Sequence, residues 1–282
     1  MLWIDCDTDD SALSTTAAAF GINETDLKEI IRSLGASQAD DETWLRSDNH
    51  NKMLCKLESI VGRKAVFDGV CYFHFTRVKP QEVFECGLVP STDRLDAIWS
   101  MLEELLPVSF DRQEWCNVKR DMEHDSSHWA NLYRLKTCKR TMSGPFGQLV
   151  RRVAFIPEWN GIHYLATPET IEDICFFFQS RHEFELQRAF IEATRPCIVK
   201  FVVSGTDRDA LNEALQFIYR NERGFGPAPD MLCHDARGSP IDPSRILRVE
   251  FVEDIYGQMR LQQHAKKFDS NFADGSDWLT FL

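Results

Sequence analysis

The chain has 282 residues, 43% hydrophobic and 27% charged, a composition that suits a globular protein with a sizeable core. Its net charge of −12 excludes a protein that binds nucleic acid through bulk charge. No apolar run is long enough to cross a membrane and the first residues lack the basic opening of a signal peptide, so a cytoplasmic protein without membrane contact is expected. Nine cysteines are scattered singly with no C-x-x-C pair, which reads as reduced thiols and argues against a zinc site.

Residues 1–48 hold eleven Asp/Glu against three Lys/Arg, so most of the negative charge sits at this end. Residues 1–20 read as a loose or partner-dependent arm. A helix is expected over 23–34, capped by Asn23 or Thr25, with Leu27, Ile30, Ile31 and Leu34 inward and Gly35 as the stop. A polar linker over 36–50 and a second short helix over 51–61 follow. Residues 1–60 thus form an acidic, partly helical segment, either a solvated surface or a site for a basic partner.

The main domain is expected over 61–260. Val70–Phe75 has the length and aromatic content of a buried strand, and it leads into His74, Thr76 and Arg77. Residues 80–86 predict a one- or two-turn helix that Gly87 ends at positive φ. Polar residues at the exit of a buried strand are either satisfied core groups or chemistry placed on a rigid element. Arg94–Leu106 is an amphipathic helix stopped by Pro107. An insertion over 107–148 begins with helical character from Glu114 to Leu135. His124 and His128 share a helical face there, but no third ligand accompanies them and no metal is expected. Lys136, Lys139, Arg140, Arg151 and Arg152 surround the tight loop Ser143–Gly147. That cluster suits a diphosphate or a nucleic-acid backbone, or is simply a charged turn. It is not a Walker loop, since no Gly-Lys-Ser/Thr follows.

Strands are expected over Leu149–Ile156 and Ile162–Leu165, then a helix capped by Thr167 with Pro168 at its first position. Tyr164, just before that turn, suits either the core or stacking on a flat ligand. Cys197–Val203 reads as a strand, Asp207–Tyr219 as a helix, Asp230–Cys233 as a short strand opening on a carboxylate, and Leu247–Val252 as the last strand, carrying Glu250. Residues 261–282 form a polar tail.

Three pieces occur in an order that resembles the ADP-ribosyltransferase superfamily. They are Tyr72-Phe-His-Phe-Thr-Arg77 with Gly87-Leu88, His163-Tyr-Leu-Ala-Thr-Pro-Glu169, and Asp230-Met-Leu-Cys233 followed by Ile241-Asp-Pro-Ser-Arg-Ile246. They span 70–252 and look most like the branch of toxins that modify nucleic acid, DNA in particular. Residues 1–60 and 107–148 have no counterpart in it. The resemblance implies an α+β fold: a split, mostly antiparallel β core that grips NAD, flanked by helices. It implies that His74 binds a ribose hydroxyl or, with backbone groups, the nicotinamide carboxamide. Thr76 and Arg77 would hold ribose or phosphate, Tyr164 would stack on nicotinamide, and Asp230 would be the acid. The family usually has Glu there, one methylene longer, so Glu250 is the second candidate, followed by Glu253 and Asp254. Arg151 and Arg152 are candidates for the diphosphate. The implied activity is transfer of ADP-ribose from NAD, without a metal, to a nucleic-acid or protein acceptor, as a toxin, effector or anti-phage defence protein. The alternative is a catalytically weak or inactive binding module on the same scaffold, recognising a nucleotide or a protein partner.

Overall fold

The structure, a computed structural model, describes residues 1–35, 50–156, 164–225 and 233–253. It is an α+β fold around one six-stranded sheet. The strands are β1 (Trp3–Ile4), β2 (Gly69–Val78), β3 (Phe146–Gln148), β4 (Arg195–Ser204), β5 (Cys233–Asp235) and β6 (Ile246–Phe251). Their order is β5-β3-β2-β4-β6, with β1 beside the start of β2, and every pairing except β1–β2 is antiparallel. The two long strands form the spine: β2 pairs with β4 over its full length, from Gly69 opposite Ser204 to Val78 opposite Arg195. Both are rich in β-branched and aromatic residues, which fit a pleated surface buried on both faces.

Alternation along β2 sends Val70 and Tyr72 to one face and Phe73 and Phe75 to the other. The first face packs against helices α1 (Asp9–Phe20), α2 (Glu24–Gly35), α3 (His50–Val61) and α9 (Arg208–Glu222), in one apolar cluster that includes Phe20, Leu27, Leu57 and Leu215. The second face carries a smaller cluster of Phe73, Phe75, Ala154, Leu165 and Ile198. A separate helical lobe holds α4 (Leu95–Glu103), α5 (Arg112–His124), α6 (His128–Thr137), α7 (Glu169–Gln179) and α8 (Leu186–Ala193) around Trp99, Trp115 and Phe178. Among the described residues no helix is long and apolar enough to cross a membrane.

Several expectations need correction. Residues 1–20 are not a loose arm. β1 joins the sheet, and α1 is closed by a capping box in which Thr8 and Ser11 satisfy each other's backbone N–H. The acidic start is neutralised inside the fold: Lys200 reaches Asp5 at 2.5 Å and Asp7 at 3.1 Å, and Arg248 reaches Asp7 at 2.8 Å. Residues 1–35 and 50–61 therefore belong to the main core. No helix forms over 80–86, because Phe84 takes positive φ (54°) and breaks it; Gly87 does take positive φ (73°). Leu149–Ile156 is not a strand: Arg151–Phe155 is a 3-10 turn that buries Val153 and Ala154. Residues 164–166 are helical rather than extended. The Thr167 hydroxyl accepts from Gln187 at 3.1 Å instead of capping α7. His124 and His128 lie on different helices, both exposed, and no cluster of three or more potential metal ligands occurs among the described residues.

Candidate active site

The sheet splits beside β2. Opposite β4, β2 is covered first by β1 at Gly69–Val70 and then by β3 at a single pair, Phe73 with Gln148. Beyond that pair β3 leaves the ladder, and a cleft of about 560 Å³ opens along the edge of β2. His74 and Thr76 reach it from one face of the sheet, and Phe75 and Tyr164 from the other.

The cause of the split is visible at His74. In an antiparallel ladder, alternate residues point their N–H and C=O to opposite edges. The bonds from Gly205 N–H to the Asp68 carbonyl and from Val252 N–H to the Pro196 carbonyl fix the phase. Even-numbered residues of β2 face β4, so Phe73, Phe75 and Arg77 face the cleft side. A continued ladder would pair Phe75 with Phe146. Instead the imidazole Nδ1 of His74 donates to the Phe146 carbonyl oxygen at 2.7 Å. The side chain takes the acceptor that the Phe75 N–H would have used. The N–H and C=O of Phe75 then face the cleft with no partner among the described residues.

A carbonyl only accepts, so Nδ1 carries the proton and Nε2 presents a lone pair. Burial lowers the His74 pKa, partly offset by the bond to Phe146, and the ring stays neutral near pH 7. The Thr76 hydroxyl also has no hydrogen-bond partner among the described residues. Opposite them, Tyr164 donates its hydroxyl to Glu169 Oε1 at 3.0 Å; burial and that carboxylate raise its pKa. Glu169 opens α7, where the helix dipole favours a carboxylate. Lys136 stands 3.5 Å from Glu169 and 2.7 Å from Asp173. Asp173 is only 2% exposed, and burial pushes its carboxyl up to about 6 despite that lysine.

The structure thus brings His74, Thr76 and Tyr164 to one cleft. Arg77 borders the same cleft, but its guanidinium is committed elsewhere. Its guanidinium is buried and donates to the carbonyls of Leu165 (2.9 Å), Ile191 (2.8 Å) and Thr194 (3.0 Å) and to the Thr194 hydroxyl (3.2 Å). Those bonds tie β2 to the segments around α8 and occupy the fork a phosphate would need. Arg151 and Glu250 meet each other at 2.5 Å and do not line the cleft. Asp7 and Arg248 complete that ionic group. Asp230 and Asp254 lie outside the described residues; Cys233, three positions after Asp230, lines the cleft.

The basic cluster over 136–152 is largely spent within the fold. Lys136 pairs with Asp173, Arg140 with Asp93 at 2.7 Å, Arg151 with Glu250, and Arg152 with Asp9 at 3.2 Å. These acids come from distant parts of the chain, so the sequence gives no local sign of them. Sequence reasoning also missed Glu82 and Glu169 as acids of the cleft. Glu169 satisfies the preference for an acid in the first turn of a helix, which hides its place in the cleft. A tyrosine five residues before it was the available signal. Comparison with family profiles, with curated proteins and with solved structures gave no match.

Proposed function

We propose that the cleft binds NAD and that the protein transfers ADP-ribose from it to a macromolecular acceptor. One observation carries the reading: His74 diverts the Phe146 carbonyl and leaves the N–H and C=O of Phe75 open side by side. A carboxamide offers one C=O and one N–H₂, the complement of an unpaired strand residue. Nicotinamide seated there would lie beside Tyr164, an aromatic residue that lines the same cleft. The His74 Nε2 lone pair and the Thr76 hydroxyl would accept from and bond to ribose hydroxyls. Held at both ends, the nicotinamide–ribose bond is positioned to break through an oxocarbenium-like state, in which positioning and fixed charge supply most of the rate. The ordered motifs over 70–252 support the same reading, with an ADP-ribosyltransferase-type core.

The acceptor is proposed as nucleic acid or protein. The internal pairing of Lys136, Arg140, Arg151 and Arg152 favours an acceptor recognised at the cleft over one held along a basic groove. The test is calorimetric titration of the whole chain with NAD, then chromatography for released nicotinamide. Mass spectrometry with isotope-labelled NAD, cellular nucleic acid and cellular protein identifies what is modified. Saturable NAD binding with nicotinamide release and a labelled macromolecule is expected. Binding without release would point to the inactive module, and absence of NAD binding would remove the proposal.

A further inference from the structure

We propose that Glu169 is the carboxylate that serves the reacting sugar carbon in this cleft, with Tyr164 and Lys136 as the residues that position it. The proposal rests on NAD being the cleft's substrate. Among the described residues the acids lining the cleft are Glu82 and Glu169. Glu82 accepts from the Phe84 N–H at 3.3 Å and lies 3.4 Å from Arg94, so it is bound into the turn that follows β2. Glu250 is committed to Arg151 and Arg248.

Glu169 differs from both. Its Oε1 accepts one bond, from Tyr164, which fixes the carboxylate plane. Its Oε2 faces Lys136 at 3.5 Å, while that ammonium is anchored at 2.7 Å to the buried Asp173. The lysine therefore lends positive charge without occupying the oxygen. A carboxylate has about four acceptor sites, so Glu169 keeps sites free for a ligand. Its side chain is 39% exposed. An oriented carboxylate with vacant acceptor sites is what a developing positive charge at a sugar carbon requires.

The C1′–N bond of NAD breaks and its electron pair goes to the nicotinamide ring nitrogen, which becomes neutral. The acceptor's oxygen or nitrogen forms the new bond to C1′. Glu169 takes the proton that the acceptor loses and returns it to water.

The experiment compares Glu169→Gln, Glu169→Asp, Tyr164→Phe and Asp230→Asn in the full chain. NAD affinity is read by calorimetry and nicotinamide release by chromatography across pH. Glu169→Gln is expected to bind NAD close to normally and to release nicotinamide about a hundredfold more slowly. Glu169→Asp is expected to recover part of that loss. Tyr164→Phe keeps the ring and removes the hydroxyl that orients the carboxylate, so release should slow with NAD affinity little changed, and adding it to Glu169→Gln should cause no further loss. A normal release rate in Glu169→Gln overturns the assignment, as does loss in Asp230→Asn alone. Failure of the unsubstituted chain to bind NAD overturns the NAD reading itself, and this assignment with it.

Discussion

His74 stands in for the backbone of its neighbour: its Nδ1 holds the Phe146 carbonyl at 2.7 Å, and the Phe75 amide is left open. This makes the histidine responsible for the shape of the cleft as well as for one of its contacts. His74→Asn places an amide nitrogen near the position of Nδ1 and removes Nε2. It should keep the split and lose NAD affinity by about tenfold, the worth of one hydrogen bond of about 1.4 kcal/mol. His74→Ala releases the Phe146 carbonyl, so the Phe75–Phe146 pair can form and the cleft narrows. Amide hydrogen exchange reads the difference: the Phe75 amide should gain protection in His74→Ala and not in His74→Asn. The pH dependence has a definite sign. Burial lowers the folded-state pKa, so the unfolded chain binds the proton more readily. Stability from this group is present above the ordinary histidine value of about 6.5 and falls as pH drops below it. His74→Asn should flatten melting temperature between about pH 5 and 7. An unchanged slope would show that the ring titrates normally.

Arg77 sits three residues further along the strand and has a structural task. Its guanidinium satisfies three carbonyls and one hydroxyl in a buried site. Lysine cannot reproduce that fork, so Arg77→Lys leaves buried acceptors unpaired at roughly 1–3 kcal/mol each. We expect a loss of about 3 kcal/mol in urea denaturation with little change in the slope. A loss below about 1 kcal/mol would mean that water or a ligand, and not the fold, is the main partner of the group.

The acidic N-terminal residues are fastened to the sheet through Asp5 and Asp7 on Lys200. A chain lacking residues 1–60 would lose β1, nearly all of α1, α2 and α3 from one face of the sheet, leaving α9 there, and both counter-charges of Lys200. It should fail to give a cooperative thermal transition, whereas a true accessory segment could be removed without that effect. Asp7 offers a finer probe. Burial works against its ionisation, but hydrogen bonds and charges from Arg248 and Lys200 hold its carboxyl below the usual range. That contribution is present above about pH 4 and is lost as pH falls further. Asp7→Asn should lower stability at pH 7 and weaken the acid dependence seen below pH 4, as measured by denaturation at a series of pH values.

The elements that could be read from sequence were those long enough to show a period or a cap. The helices over 24–35, 50–61, 95–103 and 208–222 and the strands over 69–78, 195–204 and 246–251 fall close to where patterning puts them. Asp207 and Asp242 cap the elements they precede, as short polar side chains at such positions do. β1, β3 and β5 have two or three residues each, too few for any alternation to show. The apolar run Leu149–Ile156 satisfied a strand rule, yet tertiary burial of Val153 and Ala154 chose a 3-10 turn. In the site, His74 and Thr76 were legible as polar residues leaving a buried strand, and Tyr164 through the order of the motifs, although the backbone around it is helical and not the expected strand. Arg77 and Arg151 were not, because the partners of Arg77 are Leu165 and residues at the end of α8, and those of Arg151 come from β6 and the N-terminus, and no local pattern carries that information.

Gly87 closes the turn between β2 and the helical lobe, and its backbone lies against the carbonyl of Ile241. A β-carbon there would fall inside contact distance of that oxygen, and φ is +73°. The close approach matters because Leu88 and Ile241 exchange two backbone hydrogen bonds, at 3.0 and 2.7 Å. These bonds pin the chain leaving the cleft to the segment that leads into β6. Gly87→Ala adds strain of about 1 kcal/mol from the left-handed backbone and must also push the two segments apart. We expect a total loss of about 2–4 kcal/mol, with the Leu88 and Ile241 amides losing exchange protection together. Gly87→Asn tolerates the left-handed conformation better but still carries the β-carbon. It should therefore recover the backbone part and not the contact part. If Asn restored full stability, the conformation alone would be the constraint, and the packing against Ile241 would contribute nothing.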